Sequence, residues 1–441
     1  MTLNYQRLLD NIATKSLHVG IIGMGYVGLP LALTFVEQSQ LRVTGFDIDR
    51  RKIELLQQGA SYIAHLGADR VTNAVKSGLL EASDDMDRLN EPDALIIAVP
   101  TPLTPQREPD MRYVVRTAKS IAGRLRQGQL VILQSTTYPG TTDDLIKPLL
   151  EESGLKCGQD FLLAFAPERE DPGNCNFDTA SIPKVVGGVD PAATEVAAAL
   201  YELAVAQVVK VGSARVAEAT KLTENVFRAV NIALVNELKT VFDRMHIDIW
   251  EVLDAAATKP FGFMKFNPGP GLGGHCIPID PFYLAWKARE LGLSTRFIEL
   301  AGEVNLAMPQ YVINKLQAGL NERHKSVNGS RILVLGLAYK KDIDDPRESP
   351  SFAMIDLLLK LGAEVVYHDP HIPIAPTMRS WPGLPRMSSV SLSADLIQAM
   401  DVVLIATDHS SVDYAFIAAN ARLIVDSRGV YRELRPNVIK A

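Results

Sequence analysis

The sequence predicts an α/β chain in which two doubly wound parallel-sheet domains are joined by a central helical domain with a long connecting helix. Three observations predict it. Short apolar runs of strand length alternate with amphipathic stretches near the N-terminus. One helical period continues without a break over residues 213–245. A second strand-turn-helix series begins at Arg331 and echoes the order of the first. The expected domains are 1–212, 213–325 and 326–441, with the polar stretch NERHKSVNGS at 321–330 as the second boundary.

In chain order, residues 17–22 (LHVGII) read as a buried strand that runs into GMGYVG at 23–28, and residues 29–37 as the helix that follows. Further strands are expected at 42–46, 93–99 and 129–134. On the long helix Val216, Thr220, Thr223, Phe227, Val230, Leu234 and Leu238 recur at spacings of three and four. Residues 259–281 (KPFGFMKFNPGPGLGGHCIPIDP) hold too many glycines and prolines for a regular element, and a long irregular loop inside a compact domain is usually functional. The last strands are expected from 331, at 364–367, at 401–406 and at 422–425, so both sheet domains read as Rossmann-like.

Composition narrows the function classes. With 47% hydrophobic and 22% charged residues the chain is neither disordered nor a membrane protein. A net charge of -6 gives no general attraction to nucleic acid or an anionic membrane, so a phosphate-bearing ligand must be held by a local cluster. Cys157, Cys175 and Cys276 are far apart, which argues against a disulfide framework or a zinc site and for a reducing compartment. The N-terminus has no basic, apolar leader and no later stretch approaches the ~20 apolar residues of a span, so cytoplasmic residence is expected.

GMGYVG is the first site candidate. Gly23 permits the tight turn, Gly25 lets backbone amides approach a pyrophosphate, and Gly28 allows the helix to pack on the strand, with Tyr26 and Val27 between them. Asp47 follows the next strand, placed to bind ribose hydroxyls and to repel a 2'-phosphate, which favours NAD over NADP; Arg50, Arg51 and Lys52 pull the other way. The competing reading is an ordinary βα turn without a ligand. GLAYKK at 336–341 lacks the second and third glycines, so the last domain is not expected to hold a dinucleotide there.

Lys221 and Asn225 are four apart on one helix face and could serve one reacting oxygen as cation and neutral donor; the plain alternative is a solvated face. Cys276 lies in GPGLGGHCIPID, where Gly269, Gly271, Gly273 and Gly274 could expose amides that lower a thiol pKa and cradle an anion. The plain alternative makes Cys276 a buried filler and Asp280 a turn cap.

GMGYVG, AVPTP, STTYPG, APER, KLTEN, GPGLGGHCIPID and KKDIDDPRESP occur in one order across nearly the whole chain. In this the sequence resembles the UDP-glucose/GDP-mannose dehydrogenase family. The resemblance implies oxidation of the C6 alcohol of a UDP-sugar to a carboxylate, with two NAD, through a thiohemiacetal and a thioester on Cys276. It implies that Lys221 and Asn225 stabilise the oxyanion and that Asp280 helps activate water. It further implies that Glu168 assists acid–base transfer in thioester hydrolysis and that Thr136 orients the water and lies by the cofactor. Thr101, Lys52 and Arg347 fall to the cofactor side, and Gly273, Lys340 and Arg428 to the substrate, Lys340 at its phosphate and Arg428 at the uridine nucleotide.

The family's second glutamate, four residues after Glu168, is here Pro172. APEREDPGN and KPFGFM resemble the branch that oxidises UDP-N-acetylhexosamines, with UDP-N-acetylglucosamine first and UDP-N-acetylmannosamine or UDP-glucose as alternatives. Arg169 then contacts the sugar or its acetamido group, or forms an ion pair with Glu168 or Glu170. The resemblance also implies a homodimer or higher homo-oligomer through the central helices and a place in polysaccharide precursor synthesis. Rival readings are a 3-hydroxyacid dehydrogenase, which needs neither Cys276 nor residues after about 330, and a noncatalytic nucleotide sensor.

Overall fold

HVGII forms β1 (His18–Ile22), buried at all five positions, as a strand covered on both faces must be. Around it stand β2 (Arg42–Phe46), β3 (Leu80–Ser83), β4 (Ala94–Ile97), β5 (Leu130–Leu133), β6 (Leu162–Phe165), β7 (Lys184–Gly188) and β8 (Val208–Lys210). The spatial order is β3-β2-β1-β4-β5-β6-β7-β8, the doubly wound pattern with its reversal between β1 and β4. The computed structural model describes residues 3–63, 66–104, 106–170, 177–274, 277–378 and 380–441; Cys276 and Pro172 lie outside the described residues.

One pairing departs from the parallel expectation: β7 runs antiparallel to β6, with Ala164 opposite Gly188. A parallel return needs a crossover, usually a helix, and among the described residues none lies between Phe165 and Lys184.

The second sheet has five strands, β9 (Arg331–Leu335), β10 (Glu364–His368), β11 (Val402–Ile405), β12 (Ile424–Asp426) and β13 (Val438–Lys440). Their order is β10-β9-β11-β12-β13 and every pairing is parallel. The chain divides into two compact units, Met1–Glu224 with Phe282–Leu293, and Asn225–Pro281 with Ser294–Ala441.

The helix Ala214–Arg244, 31 residues long, belongs to both units. Among the described residues, none between the helices Ile249–Ala256 and Asp280–Glu290 is in a helix or strand, as the breakers at 259–281 predict. No helix of the described residues is long and apolar enough to cross a membrane.

Candidate active site

The turn after β1 has the geometry of a dinucleotide cradle. Gly23 has φ +100°, and a Cβ there would stand 2.6 Å from the Ala98 carbonyl oxygen. A Cβ on Gly28 would reach within 2.0 Å of the Gly23 oxygen, so the helix Gly28–Ser39 can leave the strand this closely only with glycine. Among the described residues nothing lies within 4 Å of the Gly25 Cβ position, which leaves it open to a ligand. No side chain caps this helix at Val27, which leaves its N-terminal amides for an anion. Half-buried Tyr26 lies within the turn.

Asp47 directly follows β2 and accepts from the amides of Met24 (3.0 Å) and Asp49 (2.9 Å). Lys52, expected near the cofactor, forms an ion pair with Asp47 at 3.1 Å and so offsets the charge that favours NAD. Thr101 is buried past the end of β4, its carbonyl accepting from the Tyr283 hydroxyl at 3.0 Å. These residues fit NAD.

In the second sheet an aspartate holds the corresponding turn in the way that Asp47 holds Met24. Asp369, after β10, accepts from the amides of Leu337 (2.6 Å) and Ala338 (2.9 Å) in the turn after β9. His409 also bonds Asp369, at 3.1 Å, and that partner helps hold the carboxyl down to about 2 against the upward push of burial.

Asp342, His371 and His409 bring metal-type ligand atoms within 4.8 Å of one another. Both His409 nitrogens are engaged, Nδ1 by the Asp342 amide at 3.0 Å and Nε2 by Asp369, so it has no lone pair left for an ion.

Glu168, just past β6, takes four hydrogen bonds. One carboxylate oxygen accepts from the amides of Arg169 (2.7 Å) and Glu170 (2.9 Å). The other accepts from Gln134 Nε2 (3.0 Å) and Lys184 Nζ (2.9 Å). Burial alone would raise its pKa, but Lys184 and the two amides bring it below the usual carboxylate range. Arg169 pairs with neither expected glutamate: its guanidinium binds Glu224 of the long helix at 2.6 Å and the Pro183 carbonyl at 2.7 Å, while only its amide reaches Glu168. Thr136 is half-buried in the loop after β5.

Lys221 and Asn225 are only 6% and 4% exposed, which removes the solvated-face alternative. Asn225 Nδ2 donates to Asp280 at 2.5 Å, and Asp280, 1% exposed, is the first residue of its helix. The loop glycines serve packing more than amide exposure. A Cβ on Gly273 would stand 2.5 Å from Tyr339 Cβ. The Gly269 amide donates to Asn236 at 3.0 Å and the Gly274 amide to the Arg347 carbonyl at 2.9 Å, so two of the four expected anion donors are already used.

The Arg347 guanidinium is closed on Asp345 at 2.6 Å. Lys340 is half-buried in the turn after β9. Arg428 is not a surface arginine: it donates to the Ala406 carbonyl at 2.6 Å, its guanidinium abuts Gly269, and burial lowers its pKa.

Sequence reasoning missed Lys184, Gln134, Tyr201 and Glu218. Lys184 had a signal, a cation heading a strand buried throughout, which demands a partner. Gln134 and Tyr201 had none.

Comparison with known proteins decides the family. Its NAD binding domain matches residues 17–205, its central domain 215–307 and its UDP binding domain 333–433. The chain belongs to the UDP-glucose/GDP-mannose dehydrogenase family. It is 36% identical over 398 residues to the UDP-N-acetyl-D-glucosamine 6-dehydrogenase of Pseudomonas aeruginosa, covering 90% of this chain and 91% of that one. It is 34% identical over 432 residues to the UDP-N-acetyl-D-mannosamine dehydrogenase of Yersinia pestis, covering 94% and 99%. A UDP-D-ManNAc dehydrogenase structure from Pyrococcus horikoshii superposes with a TM-score of 0.86 at 31% identity, over 96% of this chain and 98% of that one. The protein is an NAD-dependent nucleotide-sugar dehydrogenase.

Proposed function

We propose that this enzyme oxidises the C6 alcohol of a UDP-N-acetylhexosamine, first UDP-N-acetylglucosamine, to the uronic acid through a thioester on Cys276. The observation that carries the reading is the buried Asn225–Asp280 pair at 2.5 Å, at the end of the loop that contains Cys276 in sequence. An amide bound to a carboxylate keeps one donor N–H for a developing oxyanion and leaves the carboxylate charged to take a proton from water. Lys221, buried on the same helix, supplies positive charge to the same oxyanion. NAD, when bound, accepts hydride from C6, and oxidation from alcohol to acid needs two such transfers.

The Cys276 thiolate adds to the C6 aldehyde, the thiohemiacetal loses hydride to become a thioester, and water assisted by Asp280 releases the acid. Gly23, Gly25, Tyr26, Val27, Gly28, Asp47, Lys52, Thr101, Thr136 and Arg347 form the proposed cofactor set. Glu168, Arg169, Lys221, Asn225, Gly273, Lys340 and Arg428 form the proposed substrate set. The relatives' names favour an acetamido sugar. UDP-N-acetylmannosamine is the second reading, because several relatives named for it reach the same identity range.

The proposal includes a homodimer through the long helix, whose Phe227, Leu234 and Val241 are 48%, 52% and 47% exposed. Light scattering that gives the mass of one chain would remove it.

The test of the reaction is NADH formed per sugar consumed with UDP-N-acetylglucosamine, UDP-N-acetylmannosamine, UDP-glucose and UDP-galactose offered separately. About two NADH per UDP-N-acetylglucosamine, abolished by Cys276→Ala, is expected. One NADH, with the variant unaffected, would overturn the thioester route.

A further inference from the structure

The segment that follows β11 packs on the turn that follows β9. Thr407 Oγ1 donates to the Ala338 carbonyl at 2.6 Å, and a Cβ on Gly336, where φ is +88°, would stand 2.4 Å from Thr407 Cβ. Two residues further on, wholly buried His409 reaches the same turn at two places. Its Nε2 lies 3.1 Å from Asp369, whose carboxylate holds the Leu337 and Ala338 amides, and its Nδ1 accepts the Asp342 amide at 3.0 Å.

These bonds settle the state of the ring. A backbone N–H aimed at Nδ1 needs the lone pair there, so the ring proton sits on Nε2 and is donated to Asp369. The His371 ring flanks it at 4.9 Å between centres.

Asp342 is held just as firmly. Its φ of +59° is left-handed, which is uncommon outside glycine, and the Ser410 amide (2.7 Å) and hydroxyl (2.6 Å) both bind its carboxylate. Tyr339 donates its amide to the Asp345 carbonyl at 3.1 Å. Tyr339, Lys340 and Lys341 therefore form an arch with one end on Asp369 and the other on His409. No torsion separates the two nitrogens of an imidazole, so the ring sets the spacing of the two ends. Being 0% exposed, His409 can act on a ligand only through this arch.

We propose that His409 is a positioning residue for the substrate's phosphates: it spaces the ends of the arch so that Lys340 meets them. This rests on the substrate reading above, in which Lys340 is the phosphate contact.

The experiment titrates UDP and NAD separately by calorimetry into wild type, His409→Asn, His409→Gln, Lys340→Met and the double variant His409→Gln with Lys340→Met. An asparagine oxygen takes the place of Nδ1 and keeps the Asp342 end, whereas a glutamine amide takes the place of Nε2 and keeps only the Asp369 end. UDP affinity is expected to fall about tenfold in His409→Gln and to stay within about twofold in His409→Asn, with NAD affinity unchanged throughout. Lys340→Met should weaken UDP binding on its own but add less than about twofold to His409→Gln, because both changes remove one contact.

Equal losses in the Asn and Gln variants, a parallel loss of NAD binding, or additive costs in the double variant would overturn the assignment. Hydrogen exchange over residues 336–342, without ligand, separates it from the substrate reading. If wild type binds no UDP while exchange at 340–342 rises in His409→Gln and not in His409→Asn, the substrate reading is rejected and the spacer retained. Equal exchange in all three proteins overturns the spacer. If His409→Gln does not fold, Ser410→Ala decides: UDP affinity is expected to fall about threefold, and a wild-type value overturns the arch.

Discussion

Glu218 on the long helix accepts the backbone amide of Gly140 at 2.6 Å. The same carboxylate takes the Thr142 amide at 2.8 Å and the Thr142 hydroxyl at 2.7 Å, so it fixes the turn that follows STTYP. Burial raises its pKa from 4.5 to about 7 despite these donors, and nearby Arg215 is spent on Asp143 and Asp144. The folded state therefore holds the Glu218 proton more tightly than the unfolded chain. Its stabilising contribution is complete below pH ~4.5 and is lost as the pH rises through about 7, at most about 3 kcal/mol. Glu218→Gln should flatten the fall of Tm between pH 5 and 8 in calorimetry.

Lys239 should be dispensable for folding. Its Nζ has no hydrogen-bond partner among the described residues and lies 5.1 Å and 5.2 Å from the ring centres of Trp250 and Tyr311. Burial lowers its pKa to about 7. A depressed lysine pKa costs the fold more as the pH falls from the unfolded value of about 10.4 through the folded one. An unmade hydrogen bond costs about 1–3 kcal/mol and a cation–π contact returns about 0.5–2 kcal/mol, so Lys239→Met should stabilise by about 1 kcal/mol near neutral pH. Chemical denaturation reads it; a loss of stability would mean that the ring contacts outweigh the missing partner.

Asn225→Asp would put two carboxylates 2.5 Å apart, which can persist only by sharing a proton. On the proposed route the oxyanion then loses its neutral donor, and Asp280 shares a proton with its new neighbour. A fall in kcat of at least about a hundredfold at pH 8, with NAD affinity unchanged, is expected from steady-state kinetics and cofactor titration.

The two motif glycines should separate ligand from fold. Gly25→Ala meets no atom of the described residues within 4 Å, so stability should stay within about 0.5 kcal/mol while NAD binding weakens at least about tenfold by calorimetric titration. Gly28→Ala drives a methyl to 2.0 Å from the Gly23 oxygen and should cost about 1–3 kcal/mol of stability.

Periodicity and breakers were enough to read much of the fold in the sequence. The run 42–46 became β2 with the same ends, and the helix expected at 213–245 spans Ala214–Arg244. The antiparallel β7 was hidden because strand direction depends on the connection, and KVVGG reads alike either way. In the site, GMGYVG was legible because its glycines answer local demands. Arg169 was not: three glutamates lie within reach by type, and only the fold brings Glu224 of the long helix to it, 55 positions away. Gln134 was invisible for the same reason, since its two partners lie 34 and 67 positions away.

The two βα turns differ in a way that has a kinetic corollary: GLAYKK lacks the second and third glycines of GMGYVG, so GMGYVG is the turn fitted to a dinucleotide. Four electrons must then leave through one port in two instalments on the proposed route, and the spent carrier has to be exchanged between them. The half-oxidised sugar needs a tether during that exchange, and a covalent bond to the protein is the tether that an aldehyde cannot slip.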